Sequence, residues 1–250
     1  MQAIVSDIHA NLAAFKAVLE DIEKHDVSQK VCLGDVVGYG PNPKECLDLA
    51  REFDLAMLGN HEQALMVEYE SASFNERARG SLDWTRDCLS MLSADKEANA
   101  KRWDFLGSLE EIHTEGDVMY VHGSPRDPVT EYIYPEDLED PGKLQGIFNL
   151  IDHLCFVGHS HVAGVYTEDG VFISPYEANF RYRLTNKKTI VNVGSVGQPR
   201  DGDRRASYVL FDGDTIRFRR ITYPVDETVD KIKAEAALDN SLADRLESGR

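Results

Sequence analysis

The residues able to do chemistry come in short clusters: Ser6-Asp7-Ile8-His9, Gly34-Asp35-Val36-Val37-Gly38, Gly59-Asn60-His61-Glu62, His122-Gly123-Ser124 and Gly158-His159-Ser160-His161. Asp, His and Asn offer oxygen and imidazole nitrogen donors, which suit divalent ions such as Mn²⁺, Fe²⁺ and Zn²⁺. No Cys accompanies them, which argues against a structural thiolate zinc site. Asp7 and His9 are one residue apart. On an extended strand both would point to the same side and could face one ion; His159 and His161 repeat that spacing. Taken singly, each cluster is a common chance pattern, and Gly-Asp after a strand is often only a turn. Jointly they need a common cause, because polar groups gathered at a buried rim without partners are costly.

Each cluster follows a short β-rich run: Ala3–Val5, Lys30–Leu33, Leu55–Leu58, Val118–Val121 and Leu154–Val157. A further run, Thr189–Val193, leads into Gly194-Ser195-Val196-Gly197. Open α/β sheets place ligands just outside the carboxyl ends of their strands, so these loops are expected to converge on one rim. Helical patterns at Leu12–Lys24 and Pro43–Arg51 alternate with the early strands, which predicts a largely parallel sheet with helices on its faces. Phe74–Met91 and Ala94–Leu109 read as helices of an insertion over residues 68–110. Thr189–Val193, Ser207–Phe211 and Thr215–Ile221 predict an antiparallel meander in a second sheet, with Asp212-Gly213-Asp214 as a hairpin signal. The tail, residues 226–247, predicts one or two helices folded back on a single domain of residues 1–250.

The chain is 42% apolar and 28% charged, as expected of a folded domain with a substantial core. No apolar run approaches the ~18 residues that span a membrane, and the N-terminus lacks the basic region and cleavage site of a secretory signal. Cys32, Cys46, Cys88 and Cys155 form no C-x-x-C pair and read as small core hydrophobes of a reducing, cytoplasmic setting. A net charge of −17 argues against nucleic acid or an anionic membrane as partner, since basic patches bind both. The acidic excess either keeps the surface soluble or holds cations. A homo-oligomer stays open.

In order and spacing, Asp7-x-His9, Gly34-Asp35-x-x-Gly38, Gly59-Asn60-His61-Glu62, His122 and Gly158-His159-Ser160-His161 resemble the calcineurin-like metallophosphoesterases. The blocks from Asn192 to Asp203 and from His122 to Pro128 resemble a small bacterial and archaeal, phosphodiesterase-like branch, so the resemblance covers nearly the whole chain. It implies an α/β four-layer sandwich, two packed mixed β-sheets flanked by helices. It implies two divalent metal ions per chain (Mn, Fe, Zn or Ni), the first held by Asp7, His9 and His161, the second by Asn60, His122 and His159, with Asp35 bridging both. His61 would contact the phosphoryl group or protonate the leaving oxygen. Glu62 stands where relatives usually carry Asp, an acid that orients the histidine before it; the longer side chain can do the same. The implied reaction is hydrolysis of a small phosphodiester or phosphomonoester by water whose pKa the two ions lower. Such ions would also make the site of an acidic chain locally cationic.

Substrate contacts are less sharply marked. Arg200 and Arg126 are candidates to grip a second phosphate, or else surface ion pairs with the abundant carboxylates. Tyr39, Asn42, Tyr132 and Tyr134 are candidates to line a nucleoside or aryl pocket, although Tyr is common in packed loops. His25, His113 and His153 read as ordinary residues. Dinucleotide polyphosphate hydrolase and protein phosphatase are the alternative activities; the lack of a long charged recognition stretch favours a small phosphorylated substrate. A non-catalytic scaffold of the same fold is the competing class, and the complete donor set argues against it.

Overall fold

Side chains on successive strand residues point to opposite faces, and this alternation decides the architecture. The computed structural model describes residues 1–250, the side chains of Glu68 and Ser73 excepted. In chain order the strands are β1 (Gln2–Val5), β2 (Gln29–Cys32), β3 (Leu55–Ala56), β4 (Ile112–Glu115), β5 (Val118–Val121), β6 (Leu154–Val157), β7 (Gly164–Thr167), β8 (Val171–Ile173), β9 (Arg181–Arg183), β10 (Thr189–Asn192), β11 (Ala206–Phe211) and β12 (Thr215–Ile221). They form two six-stranded mixed sheets, ordered β3-β2-β1-β11-β12-β9 and β4-β5-β6-β10-β7-β8. The helices are α1 (Leu12–Ile22), α2 (Pro43–Ala50), α3 (Asn60–Met66), α4 (Glu76–Cys88), α5 (Lys96–Leu106), α6 (Pro141–Phe148), α7 (Val225–Ala234) and α8 (Ser241–Ser248).

Ile4, Val31, Phe156, Val191, Val209 and Phe218 meet between the sheets. Their strand neighbours Ala3, Val5 and Cys32 face the other way, onto Phe15, Leu47, Val229 and Leu242 of the helices. On the far side Cys155, Val157 and Ile190 pack against Leu144, Ile147 and Phe148 of α6. The result is helix, sheet, sheet, helix, the expected four layers. Burial of a side chain such as Phe156 contributes roughly 1.5–3 kcal/mol.

The meander expectation is corrected. β10 lies in the second sheet, parallel to β6 and antiparallel to β7, whereas the β11–β12 hairpin sits in the first sheet beside β1. All four residues of β10 are buried, so it takes a central place covered on both faces. β4 and β9 escape a sequence reading because they are short, polar edge strands. α6 starts at Pro141-Gly142, with the Asp140 side chain accepting from Lys143 N at 3.1 Å. α4 and α5 fall within the ranges expected to be helical, and α7 and α8 overrun the expected 226–247 by one residue at either end. Cys32, Cys46, Cys88 and Cys155 are free thiols, and no described helix is long and apolar enough to cross a membrane.

Candidate metal centre

The first and second sheets present the carboxyl ends of β1, β2, β3, β5 and β6 to one place. There Asp7, His9 and His161 bring ligand atoms within 4.8 Å of one another, and so do Asp35, His122 and His159. Asp35 belongs to both groups: its Oδ2 lies 3.7 Å from His9 Nε2 and 3.4 Å from His122 Nε2. Asn60 Oδ1 lies 3.2 Å from His122 Nε2. All seven expected ligands therefore converge, in two groups joined by Asp35.

How Asp7 and His9 share a side differs from expectation. Both lie beyond β1, with φ of 55° and 46°. Asp35, His159 and His161 are also left-handed, at 54°, 63° and 60°. Side-chain-bearing residues in this region cost on the order of 1–3 kcal/mol each where strained, and they cluster at functional sites. The same turns send His159 and His161 to different groups, so they do not face one ion.

Ring orientation is fixed from behind. His9 Nδ1 faces Val37 O at 3.0 Å, His122 Nδ1 faces Leu33 O at 2.9 Å, His161 Nδ1 faces Gln198 O at 2.5 Å, and His159 Nε2 faces Thr130 O at 3.0 Å. A carbonyl only accepts, so each of these nitrogens carries the proton. In a neutral ring the other nitrogen is then a lone pair directed inward. These lone pairs oppose each other across 3.1 Å for His9 and His161, and 3.0 Å for His122 and His159. Asp7 Oδ1, fully buried, lies 3.1 Å from His161 Nε2, in a ring whose proton is committed to Gln198 O through the other nitrogen, and has no other hydrogen-bond partner among the described residues. Facing lone pairs and an orphaned carboxylate oxygen repel unless a cation lies among them, and a carbonyl behind the ring is the usual support of a metal-binding histidine. The donor set thus fits divalent cations.

Electrostatics favour the neutral ring at His9, His161 and His159, whereas His122, beside Asp35, favours the protonated ring in the absence of a cation. Burial holds His9 and His161 below the usual imidazole range and His159 down at about 3. Burial opposes charge on His122 too, but the Asp35 carboxylate outweighs it and raises His122 to about 9. Despite burial, neighbouring histidines keep the Asp7 and Asp35 carboxyls well below their usual range.

Two further residues build the frame. Glu62, fully buried, accepts from Asp35 N at 2.7 Å, Val37 N at 3.0 Å and Gly59 N at 3.2 Å. It clamps the Asp35 loop rather than orienting the His61 ring, which corrects the sequence-based role. His61 is the first-turn residue of α3, its N–H donating to Asp35 Oδ1 at 2.9 Å. Its ring packs among Tyr39, His9 and Phe74, and its buried Nδ1 has no hydrogen-bond partner among the described residues. A ligand atom of His61 also lies within reach of His9 and Asp35. Among the described residues no carbonyl holds the ring from behind, unlike the four histidines above.

The Asn192–Asp203 block acquires a physical role that sequence reading missed. Ser195 Oγ donates to Asp7 O at 2.8 Å and Asn192 Nδ2 to Gly158 O at 2.6 Å, while Gln198 O holds His161. A run of Asn, Ser and Gln between glycines was the available signal.

Of the weaker candidates, Tyr39 and Tyr132 line a cavity of about 240 Å³ with Asn60, Phe74 and His159. Tyr132 stacks on His159 at 3.7 Å between centroids. Arg200 and Tyr134 edge a neighbouring groove. Arg126 is not at the site: its guanidinium is paired with Glu131. Asn42 turns toward Glu45 and Lys231. His25, His113 and His153 stand beside Asp21, Glu110 and Asp117, away from the centre.

Comparison with known proteins bears on this arrangement. Residues 1–215 match the calcineurin-like phosphoesterase superfamily domain. An uncharacterized protein of Methanocaldococcus jannaschii is 36% identical, over 100% of this chain and 98% of its own. The crystal structure of a metallophosphoesterase from Sphaerobacter thermophilus is 37% identical with a TM-score of 0.82, covering 100% of this chain and 98% of that one. A hypothetical protein of Pyrococcus horikoshii, 20% identical, shares the fold with a TM-score of 0.77 over 100% and 99% of the two chains. With facing histidines, a shared aspartate and a match running from the first strand through the second sheet, the chain belongs to the calcineurin-like phosphoesterase superfamily.

Proposed function

We propose that this chain is a hydrolase of small-molecule phosphoesters that works with two divalent ions. Asp7, His9, Asp35 and His161 would hold one, and Asp35, Asn60, His122 and His159 the other. The observation that carries this reading is the pair of inward-facing nitrogen couples, His9/His161 and His122/His159, each ring backed by a main-chain carbonyl. Bound ions of this kind supply Lewis acidity toward phosphoryl oxygens and water.

The chain's own residues do the rest. Asp35 neutralises positive charge for both groups through one oxygen, because its other oxygen is held by His61 N. Asn60 contributes a neutral oxygen, which adds no negative charge where an anionic phosphate docks. His61 faces the site with an imidazole fixed by aromatic packing alone, free to hydrogen-bond a phosphoryl oxygen or pass a proton to the leaving oxygen. Tyr39 and Tyr132 wall the approach and limit water. Free thiols at all four cysteines support a reducing compartment.

The test is hydrolysis of bis(p-nitrophenyl) phosphate and p-nitrophenyl phosphate by metal-stripped protein, with Mn²⁺, Fe²⁺, Ni²⁺, Zn²⁺ or Mg²⁺ restored singly. Turnover restored by an ion, and lost in Asp35→Asn and His61→Ala, is the expected result. Turnover that needs no ion, or that both variants keep, overturns the reading.

A further inference from the structure

A groove of about 670 Å³ opens beside the metal centre, walled by Tyr134, Ala163, Phe172, Pro175 and Tyr176. That volume lies in the range that small-molecule ligands fill. Two paths of contact join the groove to the centre. On one side a stack of rings leads outward from a metal-facing histidine. The Tyr132 centroid lies 3.7 Å from that of His159 and 5.2 Å from that of Tyr134, with interplanar angles of 18° and 11°. On the other side, Val162 and Ala163 line the groove immediately after His161 in the chain. Arg200, which also lines it, donates its main-chain N–H to His161 O at 3.3 Å.

The walls suit a flat apolar group. Tyr176 is 57% exposed, yet its Oη donates to Asp203 Oδ2 at 2.8 Å, so the ring is held at its tip while most of it stays uncovered. Phe172 is steadied by the buried Tyr166, 4.8 Å away between centroids. Aromatic surface held in place but left open to water is characteristic of a binding groove. The charges do not build a second phosphate site there. Asp201 and Arg220, both in the lining, are paired with each other, and the exposed Glu136 would repel an anion. Arg200 is the exception. Its Nη2 donates to Gln198 Oε1 at 2.9 Å, while its buried Nε finds no acceptor among the described residues. Its guanidinium stands 5.9 Å from the Tyr39 ring centroid, where the groove meets the centre. A cation at that boundary suits a phosphate oxygen, and beyond it the groove takes carbon.

We infer that this groove binds the organic group of the substrate: a flat aromatic group, that of a nucleoside or an aryl alcohol, esterified to the phosphate seated at the metal centre, with Arg200 on an oxygen of that phosphate. This rests on the phosphoester-hydrolase reading above and narrows its substrate to aromatic esters.

Calorimetric titration in buffered excess Mn²⁺ tests this with three uncleavable probes that share one dianionic head group. They are methylphosphonate, benzylphosphonate and the isostere of adenosine 5′-monophosphate in which a methylene replaces the ester oxygen. At least one ring-bearing probe should bind roughly 10–100-fold more tightly than methylphosphonate, and which one does so separates an aryl from a nucleoside substrate. Tyr176→Ala should remove most of that ratio and Tyr176→Phe should keep it, with methylphosphonate affinity unchanged in both. Arg200→Gln should weaken all three probes alike, by roughly tenfold. Equal affinity for all three probes in the native protein overturns the assignment. So does a preference that Tyr176→Ala keeps, because the ring then binds elsewhere. Should Tyr176→Ala fail to fold, Ser174→Trp, which fills the groove, must remove the same ratio. Binding is read without turnover, so a protein that shows the preference yet leaves the chromogenic esters intact would sink the hydrolase reading and keep the groove.

Discussion

His9 Nε2 and His161 Nε2 face each other across 3.1 Å, and the opposite nitrogen of each ring is committed to a main-chain carbonyl, Val37 O or Gln198 O. Neither ring can turn its proton inward without surrendering that bond. The pair is stable only around positive charge, and several consequences can be measured.

Divalent ions should stabilise the fold. At free ion about 100 times Kd the gain is about 2.7 kcal/mol, or a rise in Tm of roughly 5–10 °C for a chain of this size. Thermal melts with and without chelator check this; an unchanged Tm with every ion tested contradicts it.

Glu62→Gln should damage the frame more than the pocket. The amide turns one acceptor into a donor opposite Asp35 N, Val37 N or Gly59 N. One buried N–H left unpaired costs about 1–3 kcal/mol. Denaturant midpoints should fall accordingly and metal affinity should weaken with them. His61→Gln should instead keep metal affinity and lose roughly 10²–10⁴-fold in turnover.

Gly38 and Gly213 form a matched pair of left-handed glycines, with φ of 87° and 99°. A Cβ at Gly38 would overlap His61 Nδ1, whereas one at Gly213 would meet nothing within 4 Å. Both alanine variants should lose about 1–2 kcal/mol from backbone strain, and Gly38→Ala more because of the overlap. Only Gly38→Ala should also lose activity. Equal activity in the two would separate Gly38 from the site.

Acid sensitivity should trace in part to Asp21, which accepts from Tyr208 Oη at 2.8 Å and from Arg219 Nε and Nη2 at 3.0 and 3.1 Å. Burial would raise its carboxyl, but these hydrogen bonds outweigh burial and lower it. A folded-state pKa below the unfolded value contributes stability above that value, about 3.9, and loses it as pH falls through the folded pKa. Asp21→Asn should therefore be less stable near neutrality, with the gap closing below about pH 4. A gap that stays constant down to pH 2 would falsify this assignment.

Much of the site was legible because few residue types can hold a divalent cation, and each sits at the end of an apolar strand. The sandwich was legible through the resemblance, and its physical basis is the alternation in runs such as Leu154–Val157. Other features depend on contacts far apart in sequence. Nothing local places β10 beside β6 and β7 while β11 returns to β1. Nor does a local pattern reveal that Asp7, His9, Asp35, His159 and His161 adopt left-handed backbone. The adjacency of Glu62 to His61 likewise does not show that its carboxylate spans to a loop 25–27 residues earlier. Arg126 and Arg200 looked alike in loops near the motifs. The structure separates them, because Glu131 captures Arg126 while the Gln198 amide oxygen is the acceptor found for Arg200.

The central claim is that Asp35 joins two cation sites. Metal content after dialysis in Mn²⁺, measured by plasma mass spectrometry on native protein and Asp35→Asn, tests it most directly. Two ions per native chain, with both sites weakened together in the variant, is the expected result. No more than one ion in the native chain, or two retained in Asp35→Asn, would contradict it.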